Sequence, residues 1–178
     1  MNKPELSLHD SPSYDEALLR LEPYGVSCLN GFTSHAPMAV EALCRLQRED
    51  AIGPFLDAYI PGLKRAEAPE PPLVPGEREG ALGRNFSYSS WLSTFREELR
   101  AHGAREVAEA WLPRLAVGCV AGAFHGPLMA SHAFRGIELR ATAPRLEAVA
   151  RGLAARAYTS RRYASRAISL RRIACWRD

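Results

Sequence analysis

Apolar residues recur along most of this chain with the 3.6-residue period of amphipathic helices, broken by proline and glycine at intervals. The first such stretch runs from Ser13 to Leu21, with Ser11 or Ser13 as cap and Asp15 and Glu16 in the first turn, where the helix dipole favours acids. Pro23 and Gly25 end it, and Val26 to Ser34 read as a polar loop. A second helix starts near His35, with Pro37 in its first turn and Met38, Ala42, Leu43 and Leu46 as its stripe. Asp50 suits the cap of a third over Ile52 to Leu63, its last turn weakened by Pro61-Gly62. Residues 65 to 84 are proline-rich and read as a surface connection, either a domain linker or a long loop between helical hairpins. Helices follow over Ser87 to Ala101, closed by Gly103, over Arg105 to about Phe124, bent near Pro113, and over Pro127 to Ile137. Thr142 and Pro144 open a last one on Leu146, Val149, Ala150 and Leu153. No alternating β-branched run or Asn-Gly turn predicts a strand. The expected class is all-α, a bundle of six to eight helices with a proline-rich loop in the middle.

Composition adds little to this picture and charge adds one feature. At 178 residues, 47% apolar and 24% charged, the chain has the make-up of an ordinary globular protein. Its net charge of +3 is uneven: six arginines fall in the last 20 residues, whereas up to Tyr158 acids outnumber bases, 19 to 17. One domain is expected over 1–158, followed by a basic tail over 159–178. The mildly acidic body makes nucleic acid an unlikely partner. The longest apolar run, Leu115 to Phe124, is too short for a bilayer, which needs about 20 residues. Four cysteines without CxxC spacing, and no apolar signal core at the N-terminus, fit a reducing, cytoplasmic setting. Phosphate-cradle, HExxH and GxSxG motifs are absent from the sequence.

The candidate chemistry lies in the histidines. His9 and His102 sit in polar surroundings, while His35, His125 and His132 are flanked by small or apolar residues. Gly118, Gly122 and Gly126 form a small-residue stripe, and His125 and His132, seven residues apart, share a helix face. Two nitrogens on one metal lie about 3 Å apart, so the side chains must converge or the helix must bend, and Gly126-Pro127 supplies a ready bend or break. Spacing alone favours three hydrogen-bonded core histidines over a metal set.

Two segments carry a resemblance. Tyr24-Gly25, the run Asn30-Gly31-Phe32-Thr33-Ser34-His35-Ala36-Pro37-Met38-Ala39 and Ala42-Leu43-Cys44-Arg45-Leu46 resemble the opening of the questin oxidase-like family. Trp111 to Leu115, Gly122-Ala123-Phe124-His125-Gly126 and Ser131-His132-Ala133 resemble that family's later His-Gly and Ala-His-Ala helix, with Tyr88, Trp91-Leu92 and Phe95 fitting between. The likeness spans residues 14–157. It implies an oxidoreductase that opens or oxygenates an aromatic polyketide in a Baeyer–Villiger-like step. It implies Fe(II) with O2, His35, His125 and His132 as metal ligands, and NADPH as a candidate cosubstrate. Family members are longer and supply further ligands, and the likeness fades near Ala157. The tail is therefore expected to be a non-native C-terminus on a truncated homologue. The competing expectation is an inactive helical module that self-associates, or binds a partner, through exposed apolar surface.

Overall fold

The computed structural model describes residues 11–83, 88–116, 124–138 and 140–159. His9, Gly118, Cys119, Gly122, Cys175 and the tail from residue 160 onward lie outside the described residues. Among those described, the all-α expectation holds: seven α-helices accompany one small two-stranded sheet. The helices are α1 (Pro12–Leu21), α2 (Ala36–Arg45), α3 (Ile52–Tyr59), α4 (Arg78–Ala81), α5 (Tyr88–Ala116), α6 (His125–Ile137) and α7 (Ala143–Thr159); the strands are β1 (Tyr24–Cys28) and β2 (Leu63–Arg65). None of these helices is long and apolar enough to cross a membrane.

Proline and glycine set most of the boundaries. Pro12 and Pro37 sit in the first turns of α1 and α2, where a missing N–H leaves nothing unpaired. Gly103 interrupts α5 with a left-handed φ of 79°, at the place where the sequence ends one helix and starts the next. Pro127 behaves differently from expectation. It lies in the first turn of α6, and the break in the chain comes earlier, at Phe124, whose φ is 64°. His125 and His132 therefore share one helix without a proline bend between them.

Three further expectations need correction. The stretch read as a loop from Val26 to Ser34 opens inside β1, which pairs antiparallel with β2; Tyr24 faces Arg65 and Cys28 faces Leu63. Leu63, expected to end α3, belongs to that sheet because Pro61-Gly62 turns the chain through a 3-10 segment first. The strand carries no alternation, since all five of its residues are half-buried, and only pairing across the sheet defines it. Asp50 is exposed and pairs with Arg48 at 2.9 Å rather than capping α3.

Contacts divide the chain into two compact units. The first comprises residues 1–68 and 128–152 and holds α1, α2, α3, the sheet, most of α6 and the start of α7. Its core gathers Tyr14, Ala17, Leu18, Leu21, Val40, Ile52 and Leu56. Ala130 of α6 and Gly152 of α7 meet at close range, and a Cβ on Gly152 would lie 2.8 Å from the Ala130 Cα.

The second unit comprises residues 69–127 and 153–178. Trp91, Phe95 and Trp111 form its buried centre, with Trp111 edge-on to both other rings at 5.0 to 5.7 Å. The proline-rich stretch is strapped to α5 by two of its backbone donors: the N–H of Glu70 donates to Ser89 Oγ at 3.2 Å and that of Leu73 to Thr94 Oγ1 at 2.8 Å. The Glu70 carboxylate accepts from Ser90 Oγ at 2.6 Å. Gly126, the one member of the predicted glycine stripe among the described residues, does admit a close neighbour: a Cβ there would lie 2.7 Å from the Arg156 Cα.

These approaches differ in their tolerance of an added methyl. Gly152→Ala should destabilise the protein by about 1–3 kcal/mol through overpacking against backbone. Gly53→Ala, with nothing within 4 Å, should be neutral or stabilising by up to ~1 kcal/mol. Urea unfolding midpoints of the two variants check the contrast.

Candidate functional site

The first unit contains a cavity of about 290 Å3. Leu18 and Leu21 of α1, Met38 of α2, Met129 and Ala133 of α6 and Ala148 of α7 give it an apolar lining, and Tyr14 and His132 add polar groups. Its wall is held by Arg151, also a lining residue, whose Nη2 donates to the Glu22 carbonyl at 2.7 Å and whose Nη1 donates to the Tyr24 carbonyl at 2.9 Å. These carbonyls follow the end of α1, where backbone acceptors lack helical partners and a cation is favoured.

Behind His132 lies a buried carboxylate. Glu41 of α2 is 3% exposed. It receives four hydrogen bonds from three side chains: from Arg45 Nε, from Arg135 Nε at 3.2 Å, from Arg135 Nη2 at 3.0 Å, and from His132 Nδ1 at 2.6 Å. Arg135 Nη2 also lies 2.7 Å from His132 Nδ1. A carboxylate only accepts and a guanidinium only donates, so Nδ1 can satisfy one of them. With the proton on Nδ1 the ring donates to Glu41, and Arg135 Nη2 serves the same carboxylate. In the neutral ring this leaves the lone pair on Nε2, the nitrogen His132 can offer to the cavity.

Burial alone would raise the Glu41 carboxyl, but the donors from Arg135, Arg45 and His132 outweigh it and hold the group below the ordinary carboxylate range. Asp15 repeats the pattern. Burial raises it, and hydrogen bonds from Thr142, Arg145 and Arg140 bring it below its ordinary value. Arg145 is itself 2% exposed and also donates to the Gly136 and Ser11 carbonyls, which locks α1 against the α6–α7 turn. Burial pushes the Cys44 thiol up to about 11, which makes it an inert core group rather than a nucleophile.

The three histidines expected as metal ligands have different surroundings. His132 lines the cavity and is paired to Glu41. His35 is the exposed N-cap residue of α2, its N–H donating to the Tyr59 hydroxyl at 3.0 Å. His125 is half-buried at the first position of α6 and belongs to the second unit. Among the described residues no three His, Cys, Asp or Glu side chains form a group able to hold a metal ion. The described residues do not fit a mononuclear iron centre. Sequence reasoning missed Glu41 and Tyr14. Glu41 had a signal: it sits three residues after Met38 and three before Cys44, on the buried side of α2, where a lone carboxylate needs a partner.

No protein-family model, no curated protein and no solved structure matches the chain.

The carboxylate network should make stability acid-sensitive. Glu41 and Asp15 have folded-state pKa values below their unfolded ones, so their contribution is present above the unfolded carboxylate range and is lost as pH falls through the folded values. Glu41→Gln should cost about 1–3 kcal/mol near neutral pH, since it removes the charge and one acceptor oxygen from a buried site while its Arg45 and Arg135 donors keep access to water, and should flatten the acid limb of stability against pH. Chemical denaturation of both proteins from pH 7 down to pH 3 measures both effects.

Proposed function

We propose that the first unit binds a small aromatic molecule carrying an acidic hydroxyl, and that His132 accepts its proton as a general base. The pairing of His132 Nδ1 with buried Glu41 at 2.6 Å, on the wall of a mostly apolar cavity, carries this reading. Glu41 plays the orienting part: it holds the ring and favours the tautomer in which Nε2 can take a proton. A base positioned in this way contributes roughly 100- to 10,000-fold to a proton transfer. The cavity is near the lower end of the range of roughly 300–1,000 Å3 for small-molecule sites, which suits one or two fused rings. Removing a phenolic proton makes the ring electron-rich. That is the activation an oxidative cleavage of an aromatic polyketide requires. The oxidation itself, with Fe(II), O2 and NADPH, rests on the resemblance to the questin oxidase-like family alone.

The test uses 4-nitrophenol, whose phenolate absorbs at longer wavelength than the phenol. Near the probe's own titration midpoint, bound probe should be enriched in phenolate. His132→Gln should abolish the enrichment and weaken binding about tenfold, the loss of one hydrogen bond. Binding without phenolate enrichment, or enrichment that survives His132→Gln, would refute the assignment.

A second reading, a module that associates through apolar surface, is favoured by Leu29 and Phe32. They stand 66% and 72% exposed on one tight turn beyond β1, closed by Gly31 N–H to the Cys28 carbonyl at 3.0 Å. If that turn is a contact between copies, Leu29→Ser with Phe32→Ser should convert a dimer to a monomer in sedimentation. A wild-type monomer at tens of micromolar rules it out.

A further inference from the structure

Tyr14 is a polar residue of the cavity lining, beside Glu22, Glu147 and Arg151, that the proton-transfer reading does not use. The residue is 5% exposed, and among the described residues nothing accepts its hydroxyl proton. Its position is defined by Gly136. A Cβ built on that glycine would lie 2.6 Å from Tyr14 Oη, so the hydroxyl rests directly on the backbone of α6. Gly136 is one helical turn beyond His132 and on the same face. The Tyr14 hydroxyl thus lies against α6 one turn along from the residue that carries the His132 ring. Tyr14 cannot move away, because Arg145 lies over its ring at 5.2 Å.

We propose that Tyr14 is a ligand-binding residue that donates a hydrogen bond to a second oxygen on the bound aromatic molecule. Burial, and then the negative charge of Glu41, push its phenol far above the ordinary tyrosine range, so it remains a donor at any physiological pH. The site would then select an aryl ring with two oxygens on different carbons: an acidic hydroxyl toward His132 and a carbonyl or ether oxygen toward Tyr14. This inference rests on the reading of His132 as the proton acceptor.

The test pairs two probes of similar shape, 3-hydroxyacetophenone and 3-ethylphenol, on the full chain. Tyr14→Phe keeps the ring and its packing. It should weaken 3-hydroxyacetophenone about tenfold and leave 3-ethylphenol unchanged, because only the ketone has an acceptor for the lost donor. Equal loss for both probes, or no loss for either, overturns the role of Tyr14 and leaves His132 standing. Failure of both probes to bind the wild-type chain overturns both readings together. If Tyr14→Phe does not fold, infrared difference spectra of carbonyl-labelled 3-hydroxyacetophenone on the wild type decide. A stretch shifted below its value in apolar solvent supports the hydrogen bond, and an unshifted one overturns it.

Discussion

One buried carboxylate organises the first unit. Glu41 has almost no access to water, and an ionised carboxylate in that position is costly unless its lone pairs are filled. Arg45 comes from its own helix, one turn on, and Arg135 and His132 come from α6, so the network ties α2 to α6 by polar rather than apolar contact. The energetic return is specificity more than stability, since two packed apolar faces can slide and three directed hydrogen bonds between the helices cannot. The same carboxylate favours the His132 tautomer that carries its proton on Nδ1. What the cavity can do chemically therefore depends on a group that does not line it.

Elsewhere, long polar side chains satisfy backbone groups that secondary structure leaves open. Arg151 takes carbonyls beyond the end of α1, Arg145 takes those of Ser11 and Gly136, and Ser89 and Thr94 accept the donors of the proline-rich strap. In the second unit, Arg156 donates to the Leu115 carbonyl, with its side chain 3% exposed among apolar neighbours. Buried backbone polar groups demand partners, and short helices joined by irregular segments create many of them. Arginine suits the task, since five donors on a flat group can serve several carbonyls together.

The elements visible in the sequence are those governed by local rules. Helix periodicity, first-turn prolines and the left-handed glycine at 103 depend on residues a few positions apart, and α1, α2 and the break in α5 fall where these signals lie. Tyr24 to Cys28 has no such signal. It is a strand because residues 63–65 return alongside it, and no local pattern encodes a partner nearly forty positions away. His35, His125 and His132 look equivalent by neighbourhood, and the fold gives them three different surroundings.

Local patterning specifies the class of fold, the placing of most helices and the close approach at Gly126, because each follows from side-chain shape and short-range geometry. The burial of Glu41, the cavity that His132 and Tyr14 both line, and the part Arg135 takes in the pairing come from packing between helices far apart in the chain. Glu41 and His132 are 91 residues apart in the chain. Whether a carboxylate is solvated or must be matched by donors depends on what packs over it, and that is settled by long-range contacts alone.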